Sequence, residues 1–173
     1  DTASPGLSGR ALLAAYRLDG TRLWGIDVGR NIRAGAHYTQ FIVYDLDGDG
    51  RAEVACKTAD GTVDGQGRAI GDVSKDYRSL EVPTDGLQVK DASDRRYGKV
   101  LAGPEYFTIF DGQSGGALAT TDYIPGREPQ DGWGGIGGNG GTDANGNRVD
   151  RFLAGVAYLD GRLPSLVMAR GYY

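Results

Sequence analysis

The sequence predicts an all-β fold built from β-propeller blades, and three observations support this prediction. The 173 residues include 30 glycines that follow no collagen-like period, so the glycines mark many turns. Between the turns lie short runs rich in Val, Ile, Leu, Thr and Tyr, which are typical of strands. Two kinds of hairpin unit each occur twice, as in the blades of a propeller. A β-sandwich would also give short strands and is the alternative fold.

The first kind of hairpin covers residues 12–29 and turns at Asp19-Gly20. The same pattern returns over residues 106–123, with its turn at Asp111-Gly112. An Asp-Gly pair between alternating apolar residues predicts a hairpin, because the turn needs a positive φ.

The second kind of hairpin covers residues 40–58 and returns over residues 152–170, each time with Leu-Asp-Gly at the turn. Residues 60–103 and 131–147 are polar and glycine-rich, and such long loops are usually functional. The best candidate for a helix is the segment 91–101.

Composition excludes several classes of function. A net charge of −4 gives no reason to expect a nucleic-acid partner or an anionic membrane. No segment approaches the roughly 18 apolar residues of a membrane helix. Residues 1–10 lack the features of an export signal, so we expect any such signal to have been removed or to lie upstream. Cys56 is the only cysteine, so no intrachain disulfide can form, and its apolar surroundings predict a buried side chain.

The turn of the second hairpin, residues 44–54, concentrates acids in "YDLDGDGRAEV". Asp45, Asp47 and Asp49 alternate with small residues, and Glu53 follows. Carboxylates in this pattern can converge on one hard cation, which favours Ca²⁺ over zinc or copper. The spacing resembles the calcium loops of integrin-type propellers, in which the carbonyl of Arg51 would be a further ligand. The alternatives are a solvated turn, or calcium that only stabilises the turn.

A basic segment, residues 29–41, leads into the same hairpin. It contains Arg30, Arg33 and His37, which is the only histidine, and Lys57 follows on the outgoing strand. Cations beside a hard metal suit an anionic sugar, because they can stabilise charge next to a uronate carboxylate. The alternative is that the arginines pair with surface acids and that His37 is an ordinary half-buried polar residue.

Longer stretches of sequence carry a family resemblance. These are "GRNIRAGAHYTQFIVYDLDGDGRAEVACKTADGT", "GPEYFTIFDG", "GNRVDRFLAGVAYLDG" and "PSLVMARGYY". They are similar to the rhamnogalacturonan lyases of polysaccharide lyase family 11, in order, from about residue 12 onward. The resemblance implies the N-terminal part of an eight-bladed catalytic propeller, bound calcium ions and secretion. It also implies cleavage of the rhamnose–galacturonic acid backbone of rhamnogalacturonan I by β-elimination.

This reaction suggests roles for the basic residues. A base must remove the C5 proton of galacturonate, and a cation must neutralise the adjacent carboxylate. His37 and Lys57 are the candidate bases, and Arg33 is a carboxylate clamp or an unusual base. Histidine side chains titrate near neutrality, whereas a lysine needs a lowered pKa to act as a base. Arg30 and Asn31 are candidate sugar contacts.

Other polar residues suit a pectic ligand or further calcium ions. Trp133, in the glycine-rich loop, is the candidate sugar platform. The candidates for further calcium ligands are Asp60, Asp64, Glu105, Asn147 and Asp150, of which the last two are favoured because they directly precede an apolar strand.

The resemblance covers only the first blades of the family's propeller. We therefore expect residues 1–173 to be one partial domain of a longer chain, whose remaining blades would be its partner. The alternative function is a non-catalytic calcium-binding propeller module that binds carbohydrate or a protein. That alternative predicts that His37, Arg33 and Lys57 share no cleft.

Overall fold

A computed structural model describes residues 6–84, 86–127 and 145–171. Over these ranges the chain forms strands and turns but no helix, which confirms the all-β class. Residues 91–101, the candidate helix, form turns. No helix in the described ranges could therefore cross a membrane. The strands are β1 (Ala11–Tyr16), β2 (Arg22–Gly29), β3 (Phe41–Tyr44), β4 (Glu53–Thr58), β5 (Thr62–Val63), β6 (Ala69–Ile70), β7 (Val82–Thr84), β8 (Leu87–Val89), β9 (Tyr106–Phe110), β10 (Ala117–Asp122), β11 (Phe152–Ala157) and β12 (Ser165–Arg170).

The four predicted hairpins are all present. They are β1–β2, β3–β4, β9–β10 and β11–β12, each antiparallel. Two antiparallel sheets have four strands, in the orders β1-β2-β5-β6 and β10-β9-β4-β3, and we call them the first and the second sheet. Strands β11 and β12 form a separate pair. The described sheets do not close into a ring, so the complete propeller stays a prediction.

The core lies between the first and the second sheet. Trp24, Ile26 and Val28 point to one face of β2, because alternate residues of a strand share a face. They pack against Cys56 on β4 and Phe110 on β9. Cys56 is fully buried, as predicted, and burial raises the pKa of its thiol to about 12. A neutral, inaccessible thiol is a packing residue.

All six residues of β4 are buried, including a glutamate and a lysine. The strand is central in its sheet, between β3 and β9. One face contributes to the core, and on the other face the ammonium of Lys57 lies 4.7 Å from the centre of the Phe152 ring on β11. A charged residue in such a strand needs buried partners.

Gly112 joins the two four-stranded sheets, and we expect Gly112→Ala to destabilise the protein by about 3 kcal/mol. The carbonyl of Gly112 accepts a hydrogen bond from Trp24 Nε1 at 2.8 Å. A Cβ atom at position 112 would lie 1.7 Å from the carbonyl oxygen of Ala52, so the backbone would have to move.

Urea unfolding measures this effect, with Gly155→Ala as the matched control. Nothing lies within 4 Å of a Cβ at Gly155. The control should therefore change the free energy of unfolding by only about 0.5 kcal/mol. Equal midpoints for the two variants would contradict the clash.

Candidate functional site

The acidic turn between β3 and β4 brings its aspartates together. Carboxylate oxygens of Asp45, Asp47 and Asp49 all lie within 4.8 Å of one another. Asp45 accepts hydrogen bonds from the backbone N–H groups of Gly48 and Gly50, at 2.7 and 2.9 Å. These bonds fix the carboxylate, and both donors have positive φ, which glycine adopts without strain.

The geometry of this turn fits calcium. Oxygens on opposite sides of a bound Ca²⁺ are about 5 Å apart, because each lies 2.3–2.6 Å from the ion. Glu53 is buried, and its carboxylate accepts a hydrogen bond from Leu46 N–H at 2.8 Å, which closes the turn. The donor set contains only hard oxygens, the preference of Ca²⁺.

At the far end of β4 lies a second assembly, which we call the buried ion cluster. It combines four cations and two carboxylates from separate parts of the chain: Arg33, Lys57, Arg127, Arg170, Glu105 and Asp150. Every one of these side chains is less than a tenth exposed. The buried ion cluster links the second sheet to the β11–β12 pair.

Glu105 is the best-connected anion of the buried ion cluster. Its carboxylate lies 2.5 Å from Lys57 Nζ, 2.9 Å from Arg127 Nη2 and 2.5 Å from Arg170 Nη2. Burial raises the pKa of Glu105, but attraction to Lys57, Arg127 and Arg170 outweighs burial and lowers the pKa to about 2. Glu105 is therefore charged at any pH near neutrality. Together with Tyr123 and Arg127 it lines a cavity of about 330 Å³.

Asp150 is held more loosely. One carboxylate oxygen lies 3.7 Å from both Lys57 Nζ and Arg127 Nη2, and the other lies 3.9 Å from Arg33 Nη1. The first oxygen, Oδ1, has no hydrogen-bond partner among the described residues. A carboxylate among so many cations is a poor ligand for another cation, so this environment disfavours calcium at Asp150.

Lys57 is constrained by the same neighbours. Burial lowers the pKa of its amine, while Asp150 and Glu105 act in the opposite direction. Its side chain is 7% exposed and its ammonium is already paired with Glu105. Lys57 therefore has a structural partner in Glu105, and a polymer would have little access to its amine.

The loop that precedes β3 separates the other predicted residues. The guanidinium of Arg33 lies 4.2 Å from the centre of the Tyr38 ring, deep in the fold. His37, which directly precedes Tyr38, has an exposed side chain, and its carbonyl accepts a hydrogen bond from Phe152 N–H at 3.1 Å. Arg30 is partly exposed, 3.8 Å from Asp76. The structure thus brings Arg33 and Lys57 to Asp150 and leaves His37 and Arg30 at the surface.

Asn31 has a structural environment. Its amide nitrogen donates to the carbonyls of Asp60 and Lys75 at 2.9 and 3.0 Å, and its oxygen accepts from Tyr77 N–H at 2.8 Å. The side chain is buried, so a role as a sugar contact finds no support in the geometry.

Three further predicted calcium ligands are occupied by protein groups. Asp60 accepts from the hydroxyls of Tyr77 and Tyr106 at 2.9 and 3.1 Å. Asp64 accepts from backbone N–H groups and from Arg68 Nε. The amide oxygen of Asn147 accepts from Tyr38 O–H at 2.7 Å. Hydrogen bonds of this kind orient side chains without needing a metal. Trp133 lies outside the described residues.

The two assemblies lie at opposite ends of one strand. Glu53 begins β4 and Lys57 is four residues further on, a separation of about 13 Å at the rise of a strand. An ion in the acidic turn therefore could not touch a sugar held at Lys57.

Sequence reasoning missed three cations of this region. Arg127 and Arg170 come from distant segments in which no spacing marks the arginine as functional, and only the tertiary structure brings them to Glu105. Lys99 is 2% exposed, and its pKa is lowered to about 8 by burial and by Arg33 and Arg95. A lysine within a polar loop gives no signal that its amine will be buried.

Known proteins include relatives that match this chain over its whole length. The family model "Rhamnogalacturonan lyase family 11, C-terminal domain" matches residues 1–173. The chain is 55% identical to rhamnogalacturonan exolyase YesX and 53% identical to rhamnogalacturonan endolyase YesW, both of Bacillus subtilis (strain 168). Each alignment covers all of this chain and 24% of the relative.

Solved structures agree with the sequence comparison. The fold superposes on a Bacillus licheniformis rhamnogalacturonan lyase PL11 with a TM-score of 0.81 and 53% identity, covering all of this chain and 26% of that one. The crystal structure of the exotype lyase YesX gives the same TM-score at 55% identity and 25% coverage. The chain thus spans about a quarter of the length of these relatives.

Proposed function

Because the chain belongs to rhamnogalacturonan lyase family 11, we propose that it is part of a secreted enzyme that cleaves rhamnogalacturonan I, a pectic polysaccharide. The observation that carries this proposal is the match over the whole chain, at 53–55% identity, to relatives named as lyases. Within the enzyme the chain would form the first blades of an eight-bladed propeller, and the remaining blades would complete the substrate cleft.

The proposed reaction is a β-elimination at galacturonate. A base takes the proton from C5, the C5–H electron pair forms the C4–C5 double bond, and the O4-linked rhamnose leaves with a proton from a general acid. Negative charge develops next to the uronate carboxylate, so nearby cations lower the barrier.

Among the three basic candidates, exposure favours His37 as the base. Its side chain is exposed on the loop before β3, whereas Arg33 and Lys57 are 4% and 6% exposed. The imidazole ring lies 6.4 Å from the ring of Tyr38, measured between centroids. The guanidinium of Arg33, a member of the buried ion cluster, lies over the same tyrosine ring, so His37 adjoins that cluster. In this arrangement Arg33 and Lys57 supply positive potential behind the base, and Arg30 is a sugar contact at the surface.

We assign the calcium ligands to the acidic turn: the carboxylates of Asp45, Asp47, Asp49 and Glu53, with the carbonyl of Arg51. When bound, the ion would neutralise the repulsion among the acids and hold the β3–β4 hairpin. Its distance from Lys57 supports a structural role rather than one in chemistry.

Removal of calcium should therefore lower stability more than it changes the chemical step. We expect excess chelator to lower the melting temperature by several degrees, because an ion that binds only the folded state stabilises it. Differential scanning calorimetry with and without chelator measures this. Asp47→Asn should weaken the response, and Asp19→Asn, at the turn of the first hairpin, is the matched control. An unchanged melting temperature would contradict a site in this turn.

The lyase activity is tested with the full-length enzyme and rhamnogalacturonan I. The reaction creates an unsaturated uronate, so ultraviolet absorbance should rise with time. The same assay with polygalacturonate, which lacks the rhamnose–galacturonate bond, should give no rise. A folded, calcium-loaded enzyme that gives no rise with rhamnogalacturonan I would refute the proposal.

One observation favours a second function, a non-catalytic module that binds carbohydrate. In the described ranges Arg33 and Lys57 are buried, so they share no open cleft with His37. This function predicts binding of the polysaccharide without any rise in absorbance.

A further inference from the structure

A groove lies on the face of the second sheet opposite the buried ion cluster, between β6 of the first sheet and β10 of the second. Its volume is about 470 Å³, within the usual range for sites that bind small molecules. Ala69, Ile70 and Ala117 form an apolar wall, and Tyr106, Arg68 and Thr120 supply polar groups.

The guanidinium of Arg68 is both anchored and accessible. Nε donates to Asp64 at 2.9 Å and Nη2 donates to the carbonyl of Ala117 at 3.2 Å, yet the side chain is 59% exposed. An arginine held in this way loses little entropy on binding an anion. These two bonds use the edge of the planar guanidinium that carries Nε and Nη2. The edge that carries Nη1 remains available to a ligand.

The charged residues that line the groove are an ion pair, Arg68 and Asp64. The carboxylate of Asp64 is buried and accepts four hydrogen bonds, one of them from Arg68 Nε, so the guanidinium is the exposed end of the pair. Among the described lining residues Arg68 is the only one with an exposed charge. The exposed end of this ion pair is therefore the positive one, which can contact an anionic group.

The remaining lining suits a sugar ring. Tyr106 is half-buried, with its hydroxyl tied to Asp60 at 3.1 Å, so the ring is held rigidly beside the groove. Thr120 is exposed on β10, and its hydroxyl is paired with that of Thr108 at 3.0 Å. A rigid aromatic ring, a hydroxyl and an anchored cation can recognise one saccharide unit that carries a carboxylate.

We infer that this groove is a second saccharide site, distinct from the buried ion cluster, that binds a uronate unit of the pectic chain with its carboxylate on Arg68. The inference rests on the proposed function for the nature of the polymer. A site on the other face of the sheet would hold a long chain to the enzyme while another part of the chain reacts, which raises the effective substrate concentration.

The test measures retardation of the full-length protein in gels that contain polygalacturonate. Arg68→Gln removes the cation, and Ala69→Glu adds a carboxylate to the exposed wall without removing an internal bond. Each should raise the apparent Kd about tenfold, as expected for loss of a charge-assisted contact. Arg162→Gln, an exposed arginine in the β11–β12 turn, is the matched control and should change Kd by less than about twofold.

A second readout separates this site from the active site. Cleavage of short rhamnogalacturonan oligosaccharides by the Arg68→Gln enzyme should stay within about twofold of the wild type, while KM for the polymer rises. An unretarded wild-type protein, or Arg68→Gln and Ala69→Glu variants as retarded as the wild type, would overturn the inference. Retardation that depends on Arg68 in a protein without lyase activity would keep this site and refute only the proposed function.

Discussion

Glu105→Gln is expected to lower the free energy of unfolding by about 3–5 kcal/mol, the usual cost of removing one partner from a buried ion pair. The glutamate carboxylate lies within 3 Å of cationic groups of Lys57, Arg127 and Arg170. A neutral amide would remove this countercharge, and the nearest described carboxylate would then be that of Asp150, 3.7–4.0 Å from the three cations. Chemical denaturation of the full-length enzyme measures the loss.

The control for this variant is Glu81→Gln, which removes the charge of an exposed glutamate and should cost only about 0.5 kcal/mol. A Glu105→Gln enzyme as stable as the control would mean that the buried ion cluster does not hold the sheets together.

The same residue predicts a dependence of stability on pH. The pKa of Glu105 is lowered to about 2 in the folded protein, against an ordinary value of 4.5. Its contribution is therefore fully present above about pH 4.5 and is lost as the pH falls from there toward 2. Glu105→Gln should flatten this part of the stability curve relative to that of the wild type.

His37→Ala should reduce the lyase rate of the full-length enzyme by about 10²–10⁴-fold, the usual contribution of a general base. The exposed imidazole would be the group that takes the C5 proton, and alanine cannot replace it. Steady-state absorbance measurements on rhamnogalacturonan I give kcat and KM separately, and the loss should fall mainly on kcat.

Two comparisons distinguish a base from a residue that only shapes the loop. Added imidazole should restore part of the activity of His37→Ala, because it can enter the space that the side chain leaves. Gln40→Ala, in the same loop, removes a hydrogen bond to the carbonyl of Ala36 but no base, and it should retain the wild-type rate within about threefold. A His37→Ala enzyme with nearly full activity would locate the base elsewhere.

Local patterns predicted much of the fold. The Asp-Gly and Leu-Asp-Gly turns predicted all four main hairpins, because such turns depend on residues that are neighbours in sequence. The same holds for the acidic turn: Asp45, Asp47 and Asp49 converge because the turn itself brings them together. The burial of Cys56 followed from the apolar strand around it.

Local patterns did not predict which polar residues would form hydrogen bonds within the protein. Asn31, Asp60, Asp64 and Asn147 are typical of ligand sites in sequence, yet all four are committed to hydrogen bonds within the protein. The partners of Asn31, Asp60 and Asn147 come from other segments of the chain, so no local spacing indicates them. Asp64 combines local bonds from residues 66 and 68 with a distant one from Ala117 N–H. Within residues 60–103, bonds of Asp60 and Asp64 tie the loop to Tyr106 and Ala117.

The sequence by itself determined the all-β class, the hairpins, the acidic turn and the membership of a lyase family, because each depends on residues close together in the chain or on long identical stretches. Only the tertiary structure decided that Arg33 and Lys57 are buried, that Arg127 and Arg170 join them at Glu105, and that His37 remains at the surface. Burial of a charge depends on whether distant segments supply its counter-charge, and folding alone brings those segments together.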